Sequence, residues 1–264
     1  AIELDPNIGL LCAANMYSAD DAGDLQRSMD RVLVGDGTDA ENAIVAYWNS
    51  LREAGTRAHP PIGMLHLDPA RPRDAQRHEI DEMQPAIGPL MKAWSKHLEI
   101  GPRGPAVLLD LSPRLNEDQR ALVDATIETT FPGITRTWEY LSQGGGRIDR
   151  LSVWIGSLSS KAPSRCVRMG RKKIMATIEG KVTESEEVSM SNPPPFGAHL
   201  TIVDPALVQS GLQETWLERA LPEGAGHSWL RLDGRRPLLI TTERLTKDED
   251  IDALVLASGE IVQH

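Results

Sequence analysis

The stretch that decides the fold is Met64-Leu65-His66-Leu67-Asp68-Pro69-Ala70-Arg71. A short apolar run ends abruptly at Asp-Pro, and an arginine-rich polar loop follows it. In open α/β sheets, ligands bind outside the carboxyl ends of the strands. Because Asp68 and the rigid Pro69 directly follow an apolar strand, we expect the Asp68 carboxylate and the Pro69 carbonyl to lie at a ligand site.

The segments around this stretch alternate between short apolar runs and longer amphipathic ones. This alternation is typical of repeated β-α units that build a mainly parallel sheet, so the predicted class is α/β. We predict strands over residues 2–4, 32–34, 62–67, 106–111, 135–141 and 150–155, and helices over residues 5–15, 39–54, 79–97 and 117–130. The last two strands flank Gly144-Gly145-Gly146 and are predicted to form an antiparallel hairpin at the sheet edge.

The composition changes between residues 156 and 170, where Ser and Pro collect. Basic residues occur there without an acidic one between them: Lys161, Arg165, Arg168, Arg171, Lys172 and Lys173. We predict a basic linker over residues 158–172, after a first domain of residues 1–157. Residues 173–264 are predicted to form a smaller α+β domain, with strands over 174–178, 200–203, 228–232 and 238–242 and a helix over 205–220.

Composition and charge restrict the class of protein. The chain of 264 residues is 40% hydrophobic, which is sufficient for a sizeable core. A formal net charge of −10 opposes non-specific binding of nucleic acid, so any such site must be local. Cys12 and Cys166 form no disulfide framework, which favours the cytoplasm. Apolar runs are too short to span a bilayer, so no membrane association is expected.

Three predicted strand ends terminate in acidic residues, namely Glu3, Asp36 and Asp68. Ribose hydroxyls and an adenine amino group are donors that suit carboxylates in such positions. Helix capping explains any one of the three, but their occurrence in successive units favours a nucleoside ligand. The glycine-rich loop of a nucleoside site should lie about 20 residues before the ribose acid. We therefore expect a first βα unit upstream of Ala1.

Four motifs follow one another in the first half of the chain: Ala1-Ile2-Glu3-Leu4-Asp5, Gly35-Asp36, Leu67-Asp68-Pro69-Ala70-Arg71 and Leu109-Asp110-Leu111-Ser112-Pro113. Their order resembles the class I S-adenosylmethionine-dependent methyltransferases. More narrowly, it resembles a prokaryotic subgroup with an Asp-Pro-Ala-Arg motif and a C-terminal THUMP-like domain. The resemblance extends to the later motifs Trp138-Glu139-Tyr140-Leu141-Ser142, Gly144-Gly145-Gly146-Arg147 and Val203-Asp204-Pro205-Ala206-Leu207-Val208-Gln209-Ser210-Gly211-Leu212.

This resemblance implies a doubly wound, mainly parallel, Rossmann-like domain that lacks its first βα unit, followed by a THUMP-like module. It implies that Glu3 binds the ribose hydroxyls of S-adenosylmethionine and that Gly35 and Asp36 lie at the adenine edge. Asp68 and Pro69 would then hold a target amino group, with RNA as the substrate. The reaction implied is methylation of a nucleobase amine, with the small domain helping to position the RNA.

The chemistry of an amine acceptor suits Asp-Pro. An exocyclic amine is a poor nucleophile while its lone pair is delocalised into the ring, and two acceptors can turn that lone pair toward a methyl group. Better-known amino-methyltransferases have an aromatic ring after their Asp/Asn-Pro-Pro motif, where this chain has Arg71. Arg71 can stack on a base, hold a phosphate or pair with an acid, and Arg73 and Arg77 can hold phosphates.

Other readings stay open at this point. His66, inside an apolar strand, is expected to be a satisfied core histidine, and Cys12 a buried thiol. Gly144-Gly145-Gly146 is expected to be a flexible turn, since no phosphate-loop lysine follows. One alternative is a non-catalytic module that binds RNA or protein on a methyltransferase fold. Another is a nicotinamide-dependent oxidoreductase, against which we count the lack of a recognisable Tyr/Lys or His/Asp pair. The modified base, the RNA species and the oligomeric state are left open.

Overall fold

Helices and strands largely alternate in the first half of the chain, whereas most of the second half consists of consecutive strands, so the class is mixed α/β. The computed structural model describes residues 1–19, 32–53, 55, 59–70, 80–185, 187–189, 193–230 and 237–262. Among these residues, the α-helices are α1 Pro6–Ala19, α2 Ala40–Glu53, α3 Ile87–Ser95, α4 Glu117–Thr130, α5 Pro205–Gln209, α6 Gln213–Ala220 and α7 Glu249–Ala253, with a 3₁₀ helix at Ile80–Glu82. None of these helices combines the length and the apolarity that crossing a membrane requires.

Fourteen strands lie in the described part of the chain. The first seven are β1 Ile2–Glu3, β2 Leu33–Val34, β3 Leu65–Leu67, β4 Ile100–Gly101, β5 Gly104–Leu111, β6 Arg136–Ser142 and β7 Arg150–Gly156. The others are β8 Ser164–Met169, β9 Ile174–Gly180, β10 Glu187–Val188, β11 His199–Val203, β12 His227–Leu230, β13 Leu238–Thr241 and β14 Val255–Glu260.

These strands form three sheets. β1 and β2 are a parallel pair. A seven-stranded sheet has the order β3-β5-β7-β6-β8-β9, with β4 paired to β5. Within it, β6 is antiparallel to β7 and parallel to β8, and β8 is antiparallel to β9. A five-stranded sheet has the order β10-β12-β13-β11-β14. The sheets are therefore open and mixed, rather than mainly parallel throughout.

Contacts divide the chain into two units that interleave in sequence. The first unit comprises Ala1–Leu65, Pro69–Ala106 and Asn116–Ile134, and the second comprises His66–Asp68, Val107–Leu115 and Thr135–His264. In the first unit, α3 packs on α4 through apolar positions at helical spacing. Leu90, Met91 and Trp94 of α3 and Val123 and Ile127 of α4 are all buried.

The core of the second unit lies on one face of the seven-stranded sheet. Leu151, Val153 and Ile155 alternate along β7, point to that face and are almost completely buried. Helices α5 and α6 contact β6, β8 and β9 and bring in Leu207 and Trp216, which have no exposed surface.

Several predictions about the second half differ from the structure. The predicted hairpin of β6 and β7 is antiparallel as expected, but it lies inside the sheet, because β8 and β9 continue beyond β6. The segment predicted as a linker, residues 158–172, contains β8, so the sheet runs through the predicted boundary. The helix predicted over 205–220 is two helices, separated at Gly211, where φ is +67°.

Candidate functional site

The ends of β1 and β2 bring together the residues predicted to bind an adenosine. The two strands run parallel, with Glu3 opposite Val34, and the Gly35 N–H donates to the Glu3 carbonyl at 2.9 Å. Asp36 follows directly. Glu3, Gly35 and Asp36 therefore lie at the ends of two paired strands in the first unit.

The Asp36 carboxylate is exposed and held in a tight turn. Its Oδ1 accepts hydrogen bonds from the Thr38 hydroxyl at 2.7 Å and the Thr38 N–H at 2.9 Å. These two bonds lower the pKa of Asp36, so the side chain is anionic at neutral pH. The buried Trp94 supports the same turn, since its indole N–H donates to the Gly37 carbonyl at 2.8 Å.

Glu3 is half-buried and its side chain faces α1. The Cys12 thiol lies 3.5 Å from Glu3 Oε1 and donates to it. Desolvation, together with the hydrogen bond and the negative charge of Glu3, raises the pKa of Cys12. Cys12 is half-buried rather than buried, but these effects disfavour a nucleophilic thiolate, as expected.

Asp68 and Pro69 lie directly after β3. Asp68 is exposed, Pro69 is half-buried, and the next residue, Ala70, pairs with Gln84 through a hydrogen bond of 2.9 Å. This hydrogen bond holds the backbone that follows Asp68 and Pro69 against Gln84 of the first unit. Arg71, Arg73 and Arg77, which we predicted to contact a base or phosphates, lie outside the described residues.

His66 is not the core residue that the sequence suggested. Its side chain is 48% exposed, and Nε2 lies 3.0 Å from Oδ2 of Asp110, a buried residue on β5. The other oxygen of Asp110 accepts a 2.5 Å hydrogen bond from the buried Ser152 on β7. The prediction failed because the apolar run around His66 buries only its alternate positions, Leu65 and Leu67.

The pair of His66 and Asp110 is the main feature of the site that sequence reasoning missed. A signal for it exists, since Leu65-His66-Leu67 and Leu109-Asp110-Leu111 each place one ionisable residue between two leucines of a strand. Only the pairing of β3 with β5 brings the two together. This pair also removes our argument that the chain lacks a His/Asp pair.

Further polar residues continue this row across the sheet. Glu139 on β6 lies opposite Ser152 in the strand register and is buried. Arg165 on β8 lies 2.8 Å from Glu139 and 3.2 Å from Glu179 on β9, and its guanidinium lies over the Trp154 ring. One face of the seven-stranded sheet therefore carries a polar row that begins at His66 and ends at Arg165 and its two acidic partners.

A cleft of about 510 Å³ opens at the ends of β5 and β6 in the second unit. Its lining residues are Pro113, Arg114, Gly146, Arg147, Ile148, Asp149, Pro205 and Gln209. The Arg147 side chain is 80% exposed and pairs with Asp149 at 2.9 Å. Arg147 thus extends into solvent beside the cleft, where it can meet an anion.

The predicted basic patch is divided by β8. Arg165 and Arg168, in the middle, are engaged with acids, the latter lying 3.8 Å from the fully buried Asp204. Lys161 precedes the strand, whereas residues 171–173 follow it and are exposed. Because β8 is parallel to β6, the segments that follow these two strands lie at the same end of the sheet. Residues 171–173 follow β8 and Arg147 follows β6. We call Arg147, Arg171, Lys172 and Lys173 the basic edge.

Asp204, which belongs to the recurring Asp-Pro-Ala segment, has a structural environment. It caps α5 by accepting the Ala206 N–H at 2.9 Å, and it accepts the Ser142 hydroxyl at 2.7 Å. Comparisons of this chain with protein-family models, with curated proteins and with solved structures found no match.

Proposed function

We propose that this protein is a cytoplasmic S-adenosylmethionine-dependent methyltransferase that modifies a nucleobase amine of RNA. The observation that carries this proposal is the pair of neighbouring parallel strand ends, β1 and β2, which present Glu3 and the anionic Asp36 at one edge. Separately, β3 ends in the exposed Asp68 followed by Pro69.

The strand order supports a Rossmann-like ancestry for the fold. Doubly wound sheets of this type have the order three-two-one-four-five-six, with the first strand in the centre. The parallel pair of β1 and β2 fits neighbouring strands of such a sheet, and β3 lies next to β5 in the seven-stranded sheet.

The residues at the β1 and β2 ends fit an adenosine. Asp36 uses Oδ1 for Thr38, so Oδ2 can accept the adenine amino group. The Glu3 carboxylate is half-exposed and can accept ribose hydroxyls. Gly35 has open space where a Cβ would be, so its backbone allows close approach of a ring. In this proposal Asp36 accepts a hydrogen bond from the adenine and Glu3 accepts hydrogen bonds from the ribose.

The target amine would be held by Asp68 and Pro69. When bound, S-adenosylmethionine supplies a methyl group whose bond to sulfur breaks, with the electron pair left on sulfur, as its bond to nitrogen forms. The Asp68 carboxylate and the Pro69 carbonyl accept the two amine hydrogens and turn the nitrogen lone pair out of conjugation. This chemistry requires orientation more than a strong base.

The basic edge supports RNA as the substrate. Exposed cations there can contact phosphates, whereas the net charge of −10 disfavours contact elsewhere. The helix that packs on β9, α7, is acidic. The THUMP-like character of residues 173–264 belongs to this proposal, in which the second unit positions the RNA.

One observation favours a second candidate, a nicotinamide-dependent oxidoreductase. A histidine held by a buried carboxylate is the pair that such an enzyme needs to exchange a proton with an alcohol, and His66 and Asp110 provide it. Strand-end acids suit the ribose of a nicotinamide cofactor equally well. The Asp68-Pro69 motif, however, has no evident task in hydride transfer, which favours the methyltransferase.

Calorimetric titration of the full-length gene product with S-adenosylmethionine and, separately, with NADH tests the cofactor assignment. We expect S-adenosylmethionine to bind, and both Glu3→Ala and Asp36→Asn to weaken its binding by about tenfold, the cost of losing a hydrogen bond to a charged group. Asp39→Asn, an exposed acid of the same loop, should leave the affinity unchanged. Binding of NADH alone supports the oxidoreductase, whereas binding of neither leaves the non-catalytic module and overturns the proposal.

A further inference from the structure

We propose that His66 is the proton acceptor of the reaction at Asp68 and Pro69, an inference that rests on the proposed methyl transfer to an amine. The pairing of His66 with Asp110 is not needed to hold an amine. The two residues form a separate pair beside the Asp-Pro motif, and the geometry of the pair determines which ring nitrogen of His66 can accept a proton.

The hydrogen-bond partners of Asp110 determine the tautomer of His66. A carboxylate can only accept hydrogen bonds, and Asp110 accepts from the Ser152 hydroxyl through one oxygen. Its other oxygen faces His66 Nε2 at 3.0 Å, so Nε2 must carry the proton. Nδ1 of the neutral ring is then left with a lone pair. The buried carboxylate thus prepares the imidazole as a base.

His66 lies beside Asp68 on the exposed side of β3. Leu65 and Leu67 are buried, whereas His66, within β3, and Asp68, directly after it, are exposed. Since side chains alternate along extended backbone, we infer that His66 and Asp68 point to the same side. Positions two apart on a strand are separated by about 7 Å. This spacing of the two backbone positions leaves room for an amine nitrogen that donates to Asp68 to lie beside the imidazole as well.

The proton transfer completes the reaction at nitrogen. A neutral amine that has given its lone pair to a methyl carbon is left with a positive charge and a surplus proton. That proton passes to Nδ1 of His66, which leaves a neutral methylated amine and an imidazolium. The new charge on the ring is stabilised by Asp110 through Nε2–H, and the imidazolium returns its proton to water before the next turnover.

Two substitutions separate this role from a structural one. His66→Gln keeps an amide N–H for Asp110 but removes the basic nitrogen, and Asp110→Asn donates to Nε2 and so forces the proton onto Nδ1. We expect each to lower kcat by about 100-fold or more, with little change in KM. His227→Gln, in a half-exposed histidine paired with Glu214 at 3.2 Å, is the matched control and should leave kcat unchanged. Added imidazole should partly restore the activity of His66→Ala.

A measurement without substrate tests the tautomer directly. Long-range ¹H–¹⁵N spectra of the wild-type protein should show His66 protonated at Nε2, and Asp110→Asn should reverse this to Nδ1. A wild-type enzyme that methylates RNA while His66→Gln retains full kcat overturns the inference and leaves the proposed function standing. Protonation of His66 at Nδ1 in the wild type also overturns it, whereas the absence of any methyl transfer contradicts the proposed function itself.

Discussion

At the scale of single residues, burial decides whether an aspartate at a helix start is structural or available. Asp204 and Asp248 both cap five-residue helices and each accepts one backbone N–H at 2.9 Å. Asp204 is fully buried beside Ser142 and Arg168, whereas Asp248 is exposed. The same capping contact therefore has different consequences at the two positions.

We predict that Asp204→Ala lowers the free energy of unfolding by about 3 kcal/mol, because it removes a helix cap and leaves the Arg168 charge unpaired. Asp248→Ala should cost about 1 kcal/mol, the value of the cap alone. Urea denaturation of both variants measures the difference. Equal costs would show that the contacts of Asp204 with Ser142 and Arg168 contribute nothing.

The site residues differ in how far the sequence could reveal them. The proximity of Glu3 and Asp36 was predictable, because consecutive β-α units place their strand ends side by side. The partner of His66 was not, since 44 residues separate it from Asp110 and only strand pairing joins them. A local pattern of apolar and polar residues predicts which face of a strand a side chain is on, but not which residue of another strand it contacts.

At the scale of elements, the best-predicted segment carries its own boundary signals. α4 was predicted over 117–130 and spans Glu117–Thr130, and Asn116 and Gln119 form a capping box at its start. β8 was missed because Arg165 and Arg168 give it the composition of a linker. Their acidic partners, Glu139, Glu179 and Asp204, lie on other elements.

The turn between β6 and β7 leaves the space that the pairing of Arg168 with Asp204 requires. Gly144 has a φ of +87°, and a Cβ there would collide with the Arg168 guanidinium, whose position beside Asp204 depends on that space. Gly144→Ala should therefore lower the melting temperature more than Gly133→Ala, in which φ is +70° but no atom lies near the added methyl group. Thermal unfolding followed by circular dichroism compares the two. Equal shifts would mean that the backbone strain of alanine at a positive φ accounts for the whole loss of stability, and that the collision with Arg168 adds nothing.

At the scale of the whole molecule, charge is distributed unevenly in an acidic protein. The residues of the basic edge lie just after β6 and β8, at one end of these strands. Lys161 lies before β8, at the opposite end, about 20 Å away along the strand. Electrostatic contact with phosphates should depend on the first group and not on Lys161.

Replacement of Arg171, Lys172 and Lys173 by glutamate tests this distribution. We expect the triple variant to bind RNA at least tenfold more weakly and with a smaller salt dependence, because fewer counterions are released on binding. Lys161→Glu is the control, and its affinity should change little. Filter binding at several salt concentrations gives both quantities. If the control weakens binding as much as the triple variant, the basic edge is not the RNA contact.

The most direct test of the central claim is transfer of a labelled methyl group from S-adenosylmethionine to RNA by the full-length gene product. We predict incorporation by the wild type, loss of at least about 100-fold in Asp68→Ala, where an amine acceptor is removed, and unchanged activity in Asp118→Ala, an exposed acid on α4. Label in an exocyclic amine of a nucleobase is the expected product. Incorporation that is equal in the wild type and Asp68→Ala, or none in the wild type, would contradict the account.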